Sequence, residues 1–259
     1  MVFYFTATGN SLYTAKQFSD APVSIPQIMK QDDLHFTDDT IGVVCPIISG
    51  ELSETVRGFL RKATFETDYL YFILTYGNDQ TDAPEWTDAF CRELGHRVDY
   101  IHTVKMVDNY LPVFDMNEQM AMDKNVPEQM AEAKKAITER RTGIPASTED
   151  GRRLHQMVAD MFKKFPIMIN GSAITATDAC IGCGVCAKVC LCAKVCPMGN
   201  IEIREGKSVR IRETCQSCFA CVQNCPQKAL TMPHGDRNPN ARYRHPDITL
   251  DEIIAANRI

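Results

Sequence analysis

Ten of the chain's twelve cysteines lie between Cys180 and Cys225, mostly two or three residues apart. A segment so rich in sulfur folds around disulfides or around metal, and the compartment decides which. The N-terminus, MVFYFTATGN, runs straight into an apolar strand without a basic region or a small-residue cleavage site, so a cytoplasmic and reducing setting is expected. Metal ligation is therefore the first expectation for the cysteines. The longest apolar run, Ile41 to Ile48, falls far short of the roughly 20 residues that span a bilayer, so no membrane span is expected. A net charge of -5, from 28 Lys and Arg against 33 Asp and Glu, argues against a nucleic-acid partner.

The second cysteine run, Cys215, Cys218, Cys221 and Cys225 followed by Pro226, has the spacing C-x2-C-x2-C-x3-C-P. Three thiolates so spaced wrap one [4Fe-4S] cube, and the fourth crosses to a second cube. Zinc sites pair C-x2-C knuckles across a longer spacer and fit this run badly.

The first run, CIGCGVCAKVCLCAKVCPMG, offers six thiols for four places because a six-residue block occurs twice. Cys196 is the one followed by proline, and 18 residues separate it from Cys215, so it is expected to cross to the second cluster. Cys180 and Cys183 open the run. Its third ligand is either Cys186, which keeps the compact start, or Cys192, which keeps the C-x3-C-P ending. Cys192 is preferred, because a thiolate four residues before the crossing cysteine lies one helical turn away. Cys190 is then a spare thiol, and so is whichever of Cys186 and Cys192 is not used.

Between the runs, NIEIREGKSVRI alternates apolar residues around Glu205-Gly206-Lys207 and predicts a hairpin. The segment has few large apolar side chains, so cluster binding is expected to supply much of its folding free energy. Seven Lys and Arg stand against four Asp and Glu from Asp178 to Leu230, an excess that offsets anionic clusters.

The front half alternates short apolar runs with helical patterns, the signature of a parallel sheet with crossover helices. Strands are predicted at Val2–Thr6, Val23–Ile28, Ile41–Ile48, Tyr69–Tyr76 and Val98–Val107. Helices are predicted at Ser11–Phe18, Glu51–Ala63, Pro84–Leu94 and Asn117–Arg141. After the first strand comes Thr6-Ala7-Thr8-Gly9-Asn10-Ser11, which on its own residues reads as a capped helix start or a phosphate loop. It has neither a Gly-Lys-Ser/Thr nor a G-x-G-x-x-G pattern, which disfavours ATP hydrolysis and direct NAD(P)H oxidation.

The apolar stripe of LHQMVADMFKKF is expected to pack as a bridging helix. Cys45, Cys91, Trp86, Tyr69, Tyr71 and Phe72 are expected to pack in the core, and no histidine is nominated as a ligand or base. No nucleophile or acid–base pair is legible, so substrate chemistry is left to redox partner proteins.

The T-x-T-G-N-S loop after strand one resembles the FMN-phosphate loop of flavodoxins. Joined to a two-cluster C-terminal segment, the chain resembles the flavodoxin-ferredoxin fusion proteins, the EFR-type ferredoxins. Thr75-Tyr76-Gly77, Met106 to Tyr110 and Arg242-Tyr243-Arg244-His245-Pro246 carry the likeness further.

The resemblance implies an α/β, doubly wound flavodoxin-like parallel sheet of order 2-1-3-4-5 followed by a two-[4Fe-4S] ferredoxin-like lobe. The implied domains are 1–149 flavodoxin-like, 150–173 bridging helix, 174–233 ferredoxin and 234–259 tail. Thr6, Thr8, Gly9, Asn10 and Ser11 would surround an FMN phosphate. Ser49, Gly50, Tyr76, Gly77 and Asn109 would flank its ring, although IISGEL offers no aromatic to stack on it. The implied function is electron transfer between FMN, two [4Fe-4S] clusters and partner proteins. The alternative is a flavin-free relay or redox sensor whose front domain docks proteins.

Overall fold

The computed structural model describes residues 1–182, 195–232 and 235–258. They form two compact units. Met1–Thr6, Asn10–Met106 and Asp123–Met161 make the first, and Ala7–Gly9, Val107–Met122 and Phe162–Ile259 the second.

The strands of the first unit are β1 (Val2–Tyr4), β2 (Val23–Ser24), β3 (His35–Thr37), β4 (Thr40–Ile48), β5 (Glu51–Leu52), β6 (Thr64–Glu66), β7 (Tyr69–Tyr76) and β8 (Tyr100–Lys105). Five of them are parallel in the order β2-β1-β4-β7-β8. Among these five the order is 2-1-3-4-5, the flavodoxin-like arrangement expected from the sequence. In β7 all residues but Tyr76 are buried, the continuous pattern of a strand covered on both faces. β3 and β6 form a separate parallel pair. Their Phe36 and Phe65 join Phe3 and Phe59 in an aromatic cluster with ring centroids 4.6 to 6.1 Å apart.

The helices of the chain are α1 (Asn10–Lys16), α2 (Ile25–Ile28), α3 (Glu54–Leu60), α4 (Ala83–Glu93), α5 (Met116–Ala121), α6 (Val126–Thr138), α7 (Glu149–Lys164), α8 (Ala220–Gln223) and α9 (Leu250–Asn257), among the described residues. The predicted strand Val23–Ile28 stops after two residues, because the Ser24 hydroxyl accepts the Gln27 N–H and Pro26 starts a helical turn. The predicted helix Asn117–Arg141 is two helices, broken where Asn125 takes a φ of 49° ahead of Val126 and Pro127 in the first turn of α6. On α7 only Gly151 is buried and Met157 is 62% exposed, so the stripe is not covered as expected of a bridging helix. Periodicity marks an apolar face without supplying a partner for it.

Tyr69, Tyr71 and Phe72 are core residues, whereas Trp86 is half-buried and stacks on Phe90 at 5.2 Å with the Arg57 guanidinium above it. Along the outer edge of β8, Gly143 accepts the Ile101 N–H and donates to the Asp99 carbonyl. Farther along, the Gln129 carboxamide accepts the Lys105 N–H at 2.8 Å and donates to its carbonyl at 3.2 Å.

The second unit contains β9 (Thr175–Ala176), β10 (Ile201–Arg204), β11 (Lys207–Arg210) and β12 (Leu230–Thr231). β10 and β11 form the predicted hairpin. Its two loop residues, Glu205 and Gly206, have φ of 50° and 72°, the primed turn that suits strand twist. β12 pairs antiparallel with β9. No helix among the described residues is long and apolar enough to cross a membrane.

Gly42 of β4 pairs with Tyr71 of β7, and a Cβ on Gly42 would fall 2.2 Å from the Tyr71 ring. Gly42→Ala is therefore expected to lower unfolding stability by about 1–3 kcal/mol in urea titrations. The penalty should shrink in a Tyr71→Leu background.

Candidate metal centre

The two Cys-Pro sequences fold alike. The Cys196 carbonyl accepts the Gly199 N–H, and its Sγ accepts the Asn200 N–H at 3.5 Å. The Cys225 carbonyl accepts the Lys228 N–H, and its Sγ accepts the Ala229 N–H at 3.3 Å. Gly199 and Lys228 occupy the same place in the two turns, with φ of 55° and 51°. Each turn thus presents a cysteine sulfur to a backbone donor four residues later, in a left-handed conformation that Gly adopts freely and Lys does not.

Cys218 lies within electrostatic reach of Cys196, Cys215 and Cys221. Burial, then the neighbouring Cys221, pushes the Cys196 thiol up to about 11. Burial also holds Cys218 well above its ordinary value, with Cys215, Cys196 and Cys221 adding to it. Cys215 is raised by burial, and Arg210 opposes the shift. Such sulfurs are thiols in the metal-free protein, so taking up metal releases their protons.

Gly171, at φ 77°, lies against Cys215, where a Cβ would fall 2.3 Å from the cysteine's own Cβ. Gly182, at φ 51°, lies against the hairpin turn, where a Cβ would fall 2.2 Å from the Gly206 carbonyl oxygen. Cys180 is half-buried. Cys183, Cys186, Cys190 and Cys192 lie outside the described residues, so the choice of third ligand falls there. Among the described residues no three His, Cys, Asp or Glu side chains form a site for a single metal ion.

The six described cysteines of the segment are all free, and this donor set suits iron-sulfur ligation. Sulfur is the soft ligand that clusters take, and the N–H groups aimed at Cys196, Cys215 and Cys225 suit its thiolate form.

Asn109, expected at a flavin rim, instead donates to the Cys218 carbonyl at 3.4 Å and accepts from the Gln223 carboxamide at 2.7 Å. Tyr110 meets Phe219 edge-on. Arg242 forms a buried ion pair with Asp236 and also donates to the carbonyls of Val222 and Leu230. Residues beyond the last cysteine thus brace the cysteine lobe.

The residues of the expected phosphate loop are largely buried. Thr6, Thr8 and Ser11 are 1, 3 and 1% exposed, and the Ser11 hydroxyl pairs with that of Thr75 at 2.8 Å. The Thr8 carbonyl accepts the His245 N–H at 2.8 Å. A Cβ on Gly9 would fall 2.9 Å from His245 Cβ and 3.1 Å from Ile248 Cβ. The Thr6, Thr8 and Ser11 side chains are thus buried, while Asn10 is half-buried.

In the first unit, Gly50 faces the ring of His155, where a Cβ would fall 2.5 Å from His155 Cδ2. Tyr76 and Gly77 are half-buried. No sequence pattern singles out His155, because its partners are remote along the chain. Its Nδ1 donates to Asp82 at 2.5 Å, and its Nε2 lies 3.8 Å from Glu51, which also pairs with Arg57. The Glu51 carboxylate, then Asp82, holds the His155 imidazole above its ordinary value against the cost of burial. His155 and Arg57 hold the Glu51 carboxyl below its ordinary range, again against burial.

No protein-family model matches the chain. Its C-terminal cysteine-rich region is similar to a ferredoxin of Pyrobaculum islandicum, at 42% identity over 68 residues, which are 26% of this chain and 57% of that protein. The chain is also 42% identical over 53 residues to one component of an ion-translocating oxidoreductase complex of Methanosarcina acetivorans, covering 20% of this chain and 18% of that component. Each match spans less than two thirds of the relative's length. The chain is thus an α/β protein with a flavodoxin-like parallel sheet and a ferredoxin-like cysteine region.

A raised histidine pKa stabilises the fold fully below the unfolded value of about 6.5, and the gain is lost as pH rises through the folded value. The depressed Glu51 acts oppositely, its gain being lost as pH falls through the folded carboxyl value. His155→Gln is expected to cost about 1 kcal/mol near pH 6 and less near pH 9, measured by urea unfolding at both.

Proposed function

We propose that the chain is an electron-transfer protein of the flavodoxin-ferredoxin fusion type, carrying two [4Fe-4S] clusters. One is held by Cys215, Cys218, Cys221 and the crossing Cys196. The other is held by Cys180, Cys183, Cys192 and the crossing Cys225, with Cys186 the alternative to Cys192. The observation that carries this reading is the matched geometry of the two Cys-Pro turns, each offering its sulfur to the N–H four residues on. The similarity to a ferredoxin supports it. Bound clusters supply one-electron chemistry. The polypeptide's part is to seat the sulfurs, satisfy them with N–H groups and exclude water from Cys196, Cys221 and Cys225, all of which are buried.

The front domain works without flavin in this proposal, as a platform for redox partner proteins. The loop that would hold the FMN phosphate is closed by His245 and Ile248, and His155 covers Gly50.

The test is an anaerobic count of iron, acid-labile sulfide and flavin on freshly purified chain. About eight irons and eight sulfides are expected, without extractable flavin. Stoichiometric zinc without sulfide would overturn the clusters, and one FMN per chain would overturn the flavin-free platform. Cys192→Ser is expected to lose about half of the iron, while Cys186→Ser keeps about eight atoms. The reverse result moves the third ligand to Cys186.

A further inference from the structure

We propose that Arg210 raises the reduction potential of the cluster held by Cys196, Cys215, Cys218 and Cys221 above that of the other cluster. This inference rests on the two-cluster reading. Arg210 ends β11, and its Nη2 donates to Cys221 Sγ at 3.1 Å. Its Nε is buried and has no hydrogen-bond partner among the described residues. Its stem passes Gly171, whose missing side chain leaves room for both Arg210 and Cys215. A Cβ there would fall 2.6 Å from Cys215 Sγ and 3.6 Å from Arg210 Cδ. The guanidinium is therefore set among the sulfurs of one proposed cluster.

A buried guanidinium with an unmet N–H is costly in a metal-free lobe. Beside a cube bearing four thiolates the cost reverses, because negative charge then faces the fork of donors. When a one-electron donor protein passes an electron to this cluster, the donor is oxidised by one electron and the cluster reduced by one. No bond forms or breaks at Arg210. Its fixed positive charge and its donated hydrogen bond stabilise the reduced form more than the oxidised form, which raises the potential. At the other cluster Cys225 takes its N–H from the neutral Ala229 backbone. Among the described residues the two clusters therefore differ in the charge of their sulfur donors, and an electron entering the lobe comes to rest on the Arg210 side.

The test is an EPR-monitored redox titration of the anaerobic full-length holoprotein beside Arg210→Gln and Arg210→Lys. In Arg210→Gln the higher of the two midpoint potentials is expected to fall while the other stays in place. Arg210→Lys, which keeps the charge but not the fork, should show a smaller fall. Unchanged potentials at full iron content, or equal shifts of both, would overturn the proposal. If Arg210→Gln loses iron, Arg210→Lys at full iron content decides by the same comparison. Loss of about half of the iron in both variants would make Arg210 a folding residue and overturn its tuning role. Wild-type chain without iron and sulfide would overturn the cluster reading itself.

Discussion

A sulfur that must carry negative charge inside a small lobe has lost its water, and donors on the chain have to replace that water. In the proposed holoprotein the arrangement of the second unit answers this requirement. The Cys-Pro turns close on themselves so that an N–H reaches back to Cys196 and to Cys225. The hairpin turn at Glu205-Gly206 brings Arg210 alongside Cys221. Gly171 and Gly182 have no side chain where Cys215 and the hairpin come closest. Apolar burial contributes as well, with Leu111, Met116, Ile201, Phe219, Val222 and Ile253 among the buried groups.

The first unit is stabilised differently. Its strands bury continuous apolar runs, and Phe3, Phe5, Phe59, Phe72 and Ile41 are fully enclosed. Cys45 and Cys91 share that core and behave as small apolar residues, since burial pushes the Cys91 thiol up to about 12. The first unit therefore depends on area removed from water, and the second, in the proposed holoprotein, on ligation as well.

Residue order carries what local rules govern. β1, β4, β7 and β8 show as apolar runs, and the Glu205-Gly206 pair marks a hairpin turn. Proline after Cys196 and Cys225 singles out two equivalent turns. β3 and β6 leave no such trace, because three residues with one inward side chain carry too little periodicity. The break before α6 depends on the backbone at Asn125, which no apolar pattern reports. The site is less legible still. Arg210 looks like an ordinary hairpin arginine until the fold sets it beside Cys221, 11 residues away. His155 finds Asp82 across 73 residues. Closure of the Thr8-Gly9 turn by His245 joins the two ends of the chain, a contact that no motif of either segment implies.

The outer edge of β8 bears on how the molecule behaves in company. An exposed parallel strand is a template on which another chain can extend a sheet. Here the Gly143 backbone and the Gln129 carboxamide already engage the N–H groups of Ile101 and Lys105, so that a side-chain amide takes the place of a further strand beside β8. At the opposite margin β2 is only two residues long. Copies of this chain crowded together during synthesis therefore meet a sheet with little unpaired border on which to polymerise.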